Sequence, residues 1–281
     1  MQCDLTYTIS EKEITTSHFG YNAIMKFYAF CKPHKYKKIE LNLWGIEMLE
    51  ANLSALLISL IDKLREENKI FIYCQIPNHL SILNRNCFAK LLYKSDDDPF
   101  DNRESTIKLY RFHPSKDDEF VKYLNKDFFN HRGLSNLNGI TIKNLKTAFQ
   151  EIFVNVELHA KTDRLYTCGQ YFPAKNVLKF TLIDMGVGFL HRIKEFTKGQ
   201  ITKDVEAIEW ATKPKNSTKD KMFGPGGYGL QDIIEYCQNN NGSIHIVSGS
   251  GYWTMSGKLH MRYPINVAFP GSMIHLIFRK I

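Results

Sequence analysis

The sequence predicts an α/β protein made of two successive blocks. Two observations carry this reading. Short apolar runs of strand character alternate with longer helix-like stretches, and an acidic, turn-rich segment, Ser95-Asp-Asp-Asp-Pro-Phe-Asp-Asn-Arg103, divides the chain. In the first block Lys38–Trp44 reads as a strand, Ala51–Glu67 as a helix, Lys69–Cys74 as a strand and Asn78–Leu92 as a second helix. A β-α-β-α order implies parallel strands with helices packed across them, because a parallel neighbour needs a crossover long enough to hold a helix. Ile107–Phe112 is expected to close that same sheet. The second block opens with helical pattern from about Asp117 and runs through a helix around Glu151. It then turns strand-rich at Val177–Asp184, Ser243–Ser248 and Ser272–Phe278. Lys213–Met222, polar and rich in lysine, reads as a mobile loop. No internal repeat is visible.

Composition bounds the function classes. A chain of 281 residues with 43% hydrophobic and 23% charged residues has the make-up of a globular protein with room for two domains. Its longest nearly unbroken apolar run, Leu53–Ile61, is far too short to span a bilayer, and the first six residues lack the basic start and apolar core of an export signal. The expectation is a cytoplasmic protein with no membrane partner. Cys3, Cys31, Cys74, Cys87, Cys168 and Cys237 are scattered without a CxxC pair, which fits reduced thiols better than a disulfide framework or a zinc site. The net charge of +8 raises nucleic acid as a partner. However, the lysine clusters at residues 32–38 and 213–221 are not interleaved with stacking aromatics, so nucleic acid ranks below a nucleotide or a protein.

Three motifs carry chemistry. The first is Glu151-Ile-Phe-Val-Asn155-Val-Glu-Leu-His159. At helical spacing, Ile142, Leu145, Phe149, Ile152, Phe153, Val156 and Ala160 share one face, and Glu151, Asn155 and His159 form a polar stripe roughly 110° from its centre. Asn and Glu offer hard oxygens to a metal-bound phosphate, and Glu or His can move a proton. Glu157, one residue off the stripe, reads as a surface group. The second motif is Asp184-Met-Gly186-Val-Gly188, in which a strand delivers a carboxylate beside a backbone of little bulk. The aspartate can accept a hydrogen bond from an exocyclic amine while a flat base lies against the glycines; alone, the motif is also an ordinary turn after a strand. The third is Gly224-Pro-Gly226-Gly227-Tyr-Gly229-Leu230 before the helix-like Gln231–Cys237. Free N–H groups at a helix start make a phosphate cradle. The spacing satisfies GxGxxG, but no strand precedes it and no acidic residue follows about twenty positions on, so a Rossmann reading fails.

Taken in order with the closing Asn241-Gly-Ser-Ile-His-Ile and Gly271-Ser-Met-Ile-His-Leu, these motifs resemble the Bergerat-fold (GHKL) ATPases. That superfamily includes gyrase B subunits, mismatch-repair ATPases, histidine kinases and the anti-sigma-factor serine kinases. The spacing of Glu, Asn and His is most similar to the serine-kinase branch. The resemblance spans about residues 117–281 and implies an α/β sandwich whose mixed sheet is covered by helices on one face. It implies ATP and Mg²⁺ as cofactors, with Asn155 as the metal ligand, Asp184 on the adenine amine, Gly186 and Gly188 lining the base pocket, and Gly227 and Gly229 clasping phosphate. His159, Gly226 and Leu230 complete the implied binding set, with residues 213–226 as a lid. Glu151 falls where hydrolytic members place the base that polarises water and where the serine kinases would activate a hydroxyl.

The first block is similar to a STAS domain, the fold of anti-sigma-factor antagonists, through the pattern from Ile39 to Leu57. It departs at the phosphorylation loop, where Glu50-Ala51-Asn52-Leu53 offers no hydroxyl, and neighbouring Ser54 reads as structural. The expected organisation is a STAS-like domain at residues 1–115 and a Bergerat domain at 116–281. Three activities stay open: ATP hydrolysis or phosphoryl transfer coupled to a protein partner, ATP-gated binding without turnover, and an ATPase coupled to nucleic acid. The absence of a histidine-bearing helix pair before the ATP domain argues against histidine autokinase activity, and a homodimer is compatible with the pattern.

Overall fold

The computed structural model describes residues 2–214, 216 and 228–279, leaving the side chains of His159 and Tyr228 undescribed. The chain is mixed α/β and divides into two compact units, residues 1–110 with 166–170, and residues 111–165 with 171–281.

Unit 1 is built on a parallel sheet in the order β1 (Leu5–Thr8), β3 (Lys38–Asn42), β5 (Phe71–Tyr73), with a second parallel pair of β2 (Glu13–Ile14) and β4 (Met48–Leu49). The crossovers that parallel pairing demands are α1 (His18–Cys31) and α2 (Ser54–Glu67). Ser17 caps α1 by accepting the Gly20 N–H at 3.2 Å. Past its far end, the Asn68 amide donates to the carbonyls of Lys32 (2.8 Å) and His34 (2.9 Å). Helix α2 is buried on nearly every side, as its Ser-Ala-Leu-Leu-Ile-Ser-Leu-Ile start requires. Before it, the Glu50 carboxylate accepts from the Thr16 N–H (2.8 Å) and hydroxyl (2.5 Å). Ser54 is fully buried, donating to the Ala51 carbonyl at 2.6 Å and accepting from the Asn86 amide at 2.8 Å.

Two expectations are corrected here. Residues 78–92 do not form one helix: α3 (Ile82–Arg85) and α4 (Phe88–Tyr93) are separated by Cys87, whose φ is 72°. The break is caused by fully buried Asn86, whose side-chain oxygen accepts the Phe88 N–H at 3.0 Å and so competes with helical bonding. Nor does β6 (Thr106–Phe112) close the parallel sheet. It is instead the edge strand of a five-stranded sheet ordered β6, β7 (Leu165–Phe172), β8 (Val177–Asp184), β10 (Leu259–Arg279), β9 (Ser243–Ser256). Within this sheet β7 is the strand the sequence reading lacks; in unit 1 that reading also lacks β1, β2 and β4.

In unit 2, β10 runs antiparallel to both β8 and β9, with Ser272 opposite Asp184 and Ser248. The helices are α5 (Asp117–Tyr123, continued by a π-helical turn over Leu124–Phe129), α6 (Gly139–Asn155), α7 (Gly188–Phe196), α8 (Asp204–Ala211) and α9 (Tyr228–Asn239). Phe128 and Phe149 pack on Phe180 of β8, with Phe120 stacked on Phe153, so the apolar face of α6 meets aromatic rings from α5 and the sheet. Among the described residues, no helix is long and apolar enough to cross a membrane, and all six cysteines are free.

Candidate functional site

A cavity of about 180 Å³ opens in unit 2 where α6, the end of β8, α7, α8 and α9 meet. Glu151, Asn155, Asp184, Gly188 and Leu230 all line it, so the three separate motifs converge on one space. The polar members face a wall dominated by Ile152, Val156, Phe189, Ile193, Trp210 and Ile274. Such a mixture of apolar wall and few polar groups suits a small organic ligand.

The α6 motif is delivered in two parts. Helix α6, capped by the Asn138 side chain on the Thr141 N–H (2.8 Å), stays α-helical through Asn155 and keeps Glu151 and Asn155 one turn apart. Val156–Ala160 then winds as a π-helical turn ending at Lys161, whose φ is 53°. The wider winding ends the α-helical spacing before His159. The turn also aims the Ala160 carbonyl at the next motif, where it accepts the Val187 N–H at 2.9 Å. Glu157 is exposed.

That contact dictates the residue at 186. A Cβ on Gly186 would stand 1.9 Å from the Ala160 carbonyl oxygen, so only glycine lets the β8 loop pass under the π turn. The Asp184 carboxylate accepts the Gly186 N–H at 2.9 Å. Although Asp184 opens in part to the cavity, burial raises its pKa to about 6, while hydrogen bonds from Gly186 and from the hydroxyl and N–H of Ser272 oppose the rise. It is therefore ionised at neutral pH, with acceptor capacity directed into an apolar pocket.

Gly229 lies in the first turn of α9 and is buried against α6, where a Cβ would fall 2.8 Å from the Ala148 carbonyl oxygen and 2.8 Å from the Glu151 Cβ. Asp232, one turn on, has its pKa raised by burial and then by the negative charges of Glu151 and Glu235. Gly226, Gly227 and the expected lid from residue 217 onward lie outside the described residues. Among the described residues, no three of His, Cys, Asp and Glu gather as a metal cage.

The sequence reading gave no site role to Arg192, Trp210 or Ser272 and placed Asn216 only in the expected lid; all four line the cavity. A signal existed for the first: Phe189, Leu190, Ile193 and Phe196 recur at helical spacing directly after Gly188 and mark α7 as amphipathic. Trp210 stands outside the motifs in sequence and carries no comparable mark, whereas Ser272 lies in the closing motif Gly271-Ser-Met-Ile-His-Leu, where the sequence alone gives it no role of its own. No protein-family model matches the sequence, and no curated protein matches it.

Proposed function

We propose that unit 2 binds Mg-ATP in this cavity in the manner of a Bergerat-fold ATPase and uses Glu151 to activate a water or a hydroxyl, and that unit 1 is a STAS-like docking domain for a protein partner. The observation that carries the reading is that Glu151, Asn155 and Asp184, from two elements far apart in sequence, line one cavity together with Gly188 and Leu230.

The chemistry available to each residue fits. Asp184, whose pKa burial raises only to about 6, accepts from the exocyclic amine of adenine, and the surrounding Ile152, Phe189 and Ile274 favour a flat ring over water. Asn155 supplies an amide oxygen to Mg²⁺, a hard cation that takes few protein ligands and keeps oxygens from phosphate and water. When bound, the metal neutralises phosphate charge. Glu151, one turn from Asn155, then takes the proton of the attacking water or hydroxyl. The start of α9 beside Glu151 offers its N–H groups to phosphate.

The parallel β1-β3-β5 sheet with its crossover helices supports the STAS-like reading of unit 1. Burial of Ser54, beside a loop that lacks a hydroxyl, speaks against a phosphoswitch there. A cytoplasmic location and a protein partner follow from the same reading.

Calorimetric titration of the full chain with ATP and Mg²⁺, run beside an ADP assay, tests it. Wild type should bind, Asp184→Ala should lose binding, and Glu151→Ala should bind without forming ADP. No binding by wild type refutes the proposal; binding with no ADP from wild type, with or without a partner, reassigns the site to nucleotide-gated interaction.

A further inference from the structure

The cavity's outer wall is hung from one short piece of β9. At one end of that piece the Ser248 hydroxyl accepts the N–H of Phe189, at the start of α7, at 3.0 Å. Two residues on, the Asp204 carboxylate accepts both the N–H (2.9 Å) and the hydroxyl (2.8 Å) of Ser250, fixing the start of α8. The flanking residues must be glycine for this. A Cβ on Gly249, whose φ is +54°, would stand 2.4 Å from the Asp204 carboxylate, and one on Gly251 would stand 2.7 Å from the Val205 nitrogen. Helix α8 thus lies directly on the strand, and buried Ala207 and Ile208 seal the contact.

The far end of α8 carries Trp210 and Ala211 into the cavity wall. Trp210 also packs on Phe196 at the end of α7, with ring centroids 5.5 Å apart. Glu209, beside it, pairs with Arg262 of β10, opposite Trp253 of β9. Both helices of the wall are therefore anchored at Ser248 and Ser250, and their far ends meet at the Trp210–Phe196 contact.

We infer that Asp204, which itself lies outside the cavity, is a positioning residue for the site: by clamping Ser250 it sets the angle of α8 and thereby the placement of Trp210 against the ligand. This rests on the nucleotide reading for what the ligand is, but not for the placement of Trp210. The placement is read without any ligand, from the ¹⁹F resonance of Trp210 in full-length protein labelled with 5-fluorotryptophan and assigned by its loss in Trp210→Phe.

Asp204→Ala is expected to shift or broaden that resonance and to weaken Mg-ATP binding roughly tenfold, the scale of one lost charge-assisted hydrogen bond. Asp204→Asn keeps an oxygen facing Ser250 and should return both readouts to within about twofold of wild type. A lower unfolding midpoint for Asp204→Ala with an unchanged Trp210 resonance and unchanged affinity would overturn the inference, leaving Asp204 a stabilising residue only. If Asp204→Ala does not fold, Ser250→Ala decides, because it removes one of the two bonds and keeps the backbone one: a moved Trp210 resonance supports the inference and a wild-type resonance refutes it. Should wild type bind no Mg-ATP, the nucleotide reading fails, and the fluorine spectrum alone settles whether Asp204 positions Trp210.

Discussion

Gly229 sits so close to Glu151 that a single methyl group would have its carbon 2.8 Å from the Glu151 Cβ. The start of α9 and the acid of α6 are therefore set by one contact, with no side chain between them. Alanine is normally favoured over glycine inside a helix by about 1 kcal/mol. Here the added carbon also meets the Ala148 carbonyl oxygen at 2.8 Å, a backbone atom that cannot rotate away. Overpacking of this kind costs about 1–3 kcal/mol, so the clash outweighs the propensity gain. Gly229→Ala is expected to lower stability by about 1 kcal/mol in urea titration and, under the proposed function, to impair turnover more than nucleotide binding, since it displaces Glu151. A stabilised variant with wild-type activity would show that the two helices separate freely.

Gly186→Ala should be more damaging. Its Cβ would stand 1.9 Å from the Ala160 carbonyl oxygen, so the β8 loop or the π turn must move and the Val187 to Ala160 hydrogen bond would be lost. The expected cost is roughly 2–4 kcal/mol, combining overpacking with an unsatisfied buried group. Denaturant unfolding measures it. A loss below about 0.5 kcal/mol would mean that the π turn yields without penalty.

How far this site was legible in the sequence follows from how local its determinants are. Val177–Asp184 alternates, ends in a carboxylate and runs into two glycines; strand, acid and close approach are each encoded within a dozen residues, and β8 spans the range read. Glu151 and Asn155 are one helical turn apart, so their shared face needed only the period of α6. What failed was long-range. Leu165-Tyr-Thr-Cys-Gly-Gln-Tyr-Phe172 has Thr, Gly and Gln in its middle and lacks the apolar alternation of a strand, yet Tyr166, Thr167 and Cys168 are fully buried in β7. Pairing of β6 was misplaced for the same reason, because its neighbour was unseen. The outer parts of β9 and β10, up to the turn at Gly257, pair with each other, and the exposed stretch Leu259–Arg262 has no buried face to create a pattern. Trp210 lines the cavity from a helix whose start is tied by Asp204 to Ser250, 46 positions away, a contact that no local pattern announces.

Asp184 should trade stability for binding. Its folded pKa, about 6, lies above the ordinary 3.8, so the unliganded protein binds the proton more tightly than the unfolded chain and gains stability as pH falls from about 6 toward 3.8. At neutral pH the ionised carboxylate is a cost that the proposed ligand offsets by donating to it. Asp184→Asn is expected to hold or raise the melting temperature at pH 7 while weakening Mg-ATP binding more than tenfold. Wild-type affinity should fall by up to about tenfold per pH unit below 6. Titration calorimetry at pH 7.5, 6 and 5 checks this, and affinity that is flat across the range would remove Asp184 from base recognition.

The histidines of β9 and β10 oppose that trend. His275 is fully buried, with Nδ1 2.6 Å from the Thr181 hydroxyl, and His245 Nδ1 lies 2.5 Å from the Tyr252 hydroxyl. Burial lowers both pKa values, that of His245 to about 4, and the Lys179 charge adds to each; His245 also lowers His275. Because the folded pKa is depressed below the ordinary 6.5, the unfolded chain takes up protons first. Stability from keeping these rings neutral is complete above about 6.5 and is lost as pH falls toward 4. Melting in the Asp184→Asn background isolates the effect from the opposing carboxylate. There the melting temperature should drop steadily between pH 6.5 and 4.5, and His245→Gln should flatten the slope by removing one of the two proton sites. A variant slope equal to that of its parent would place the acid sensitivity elsewhere in the fold.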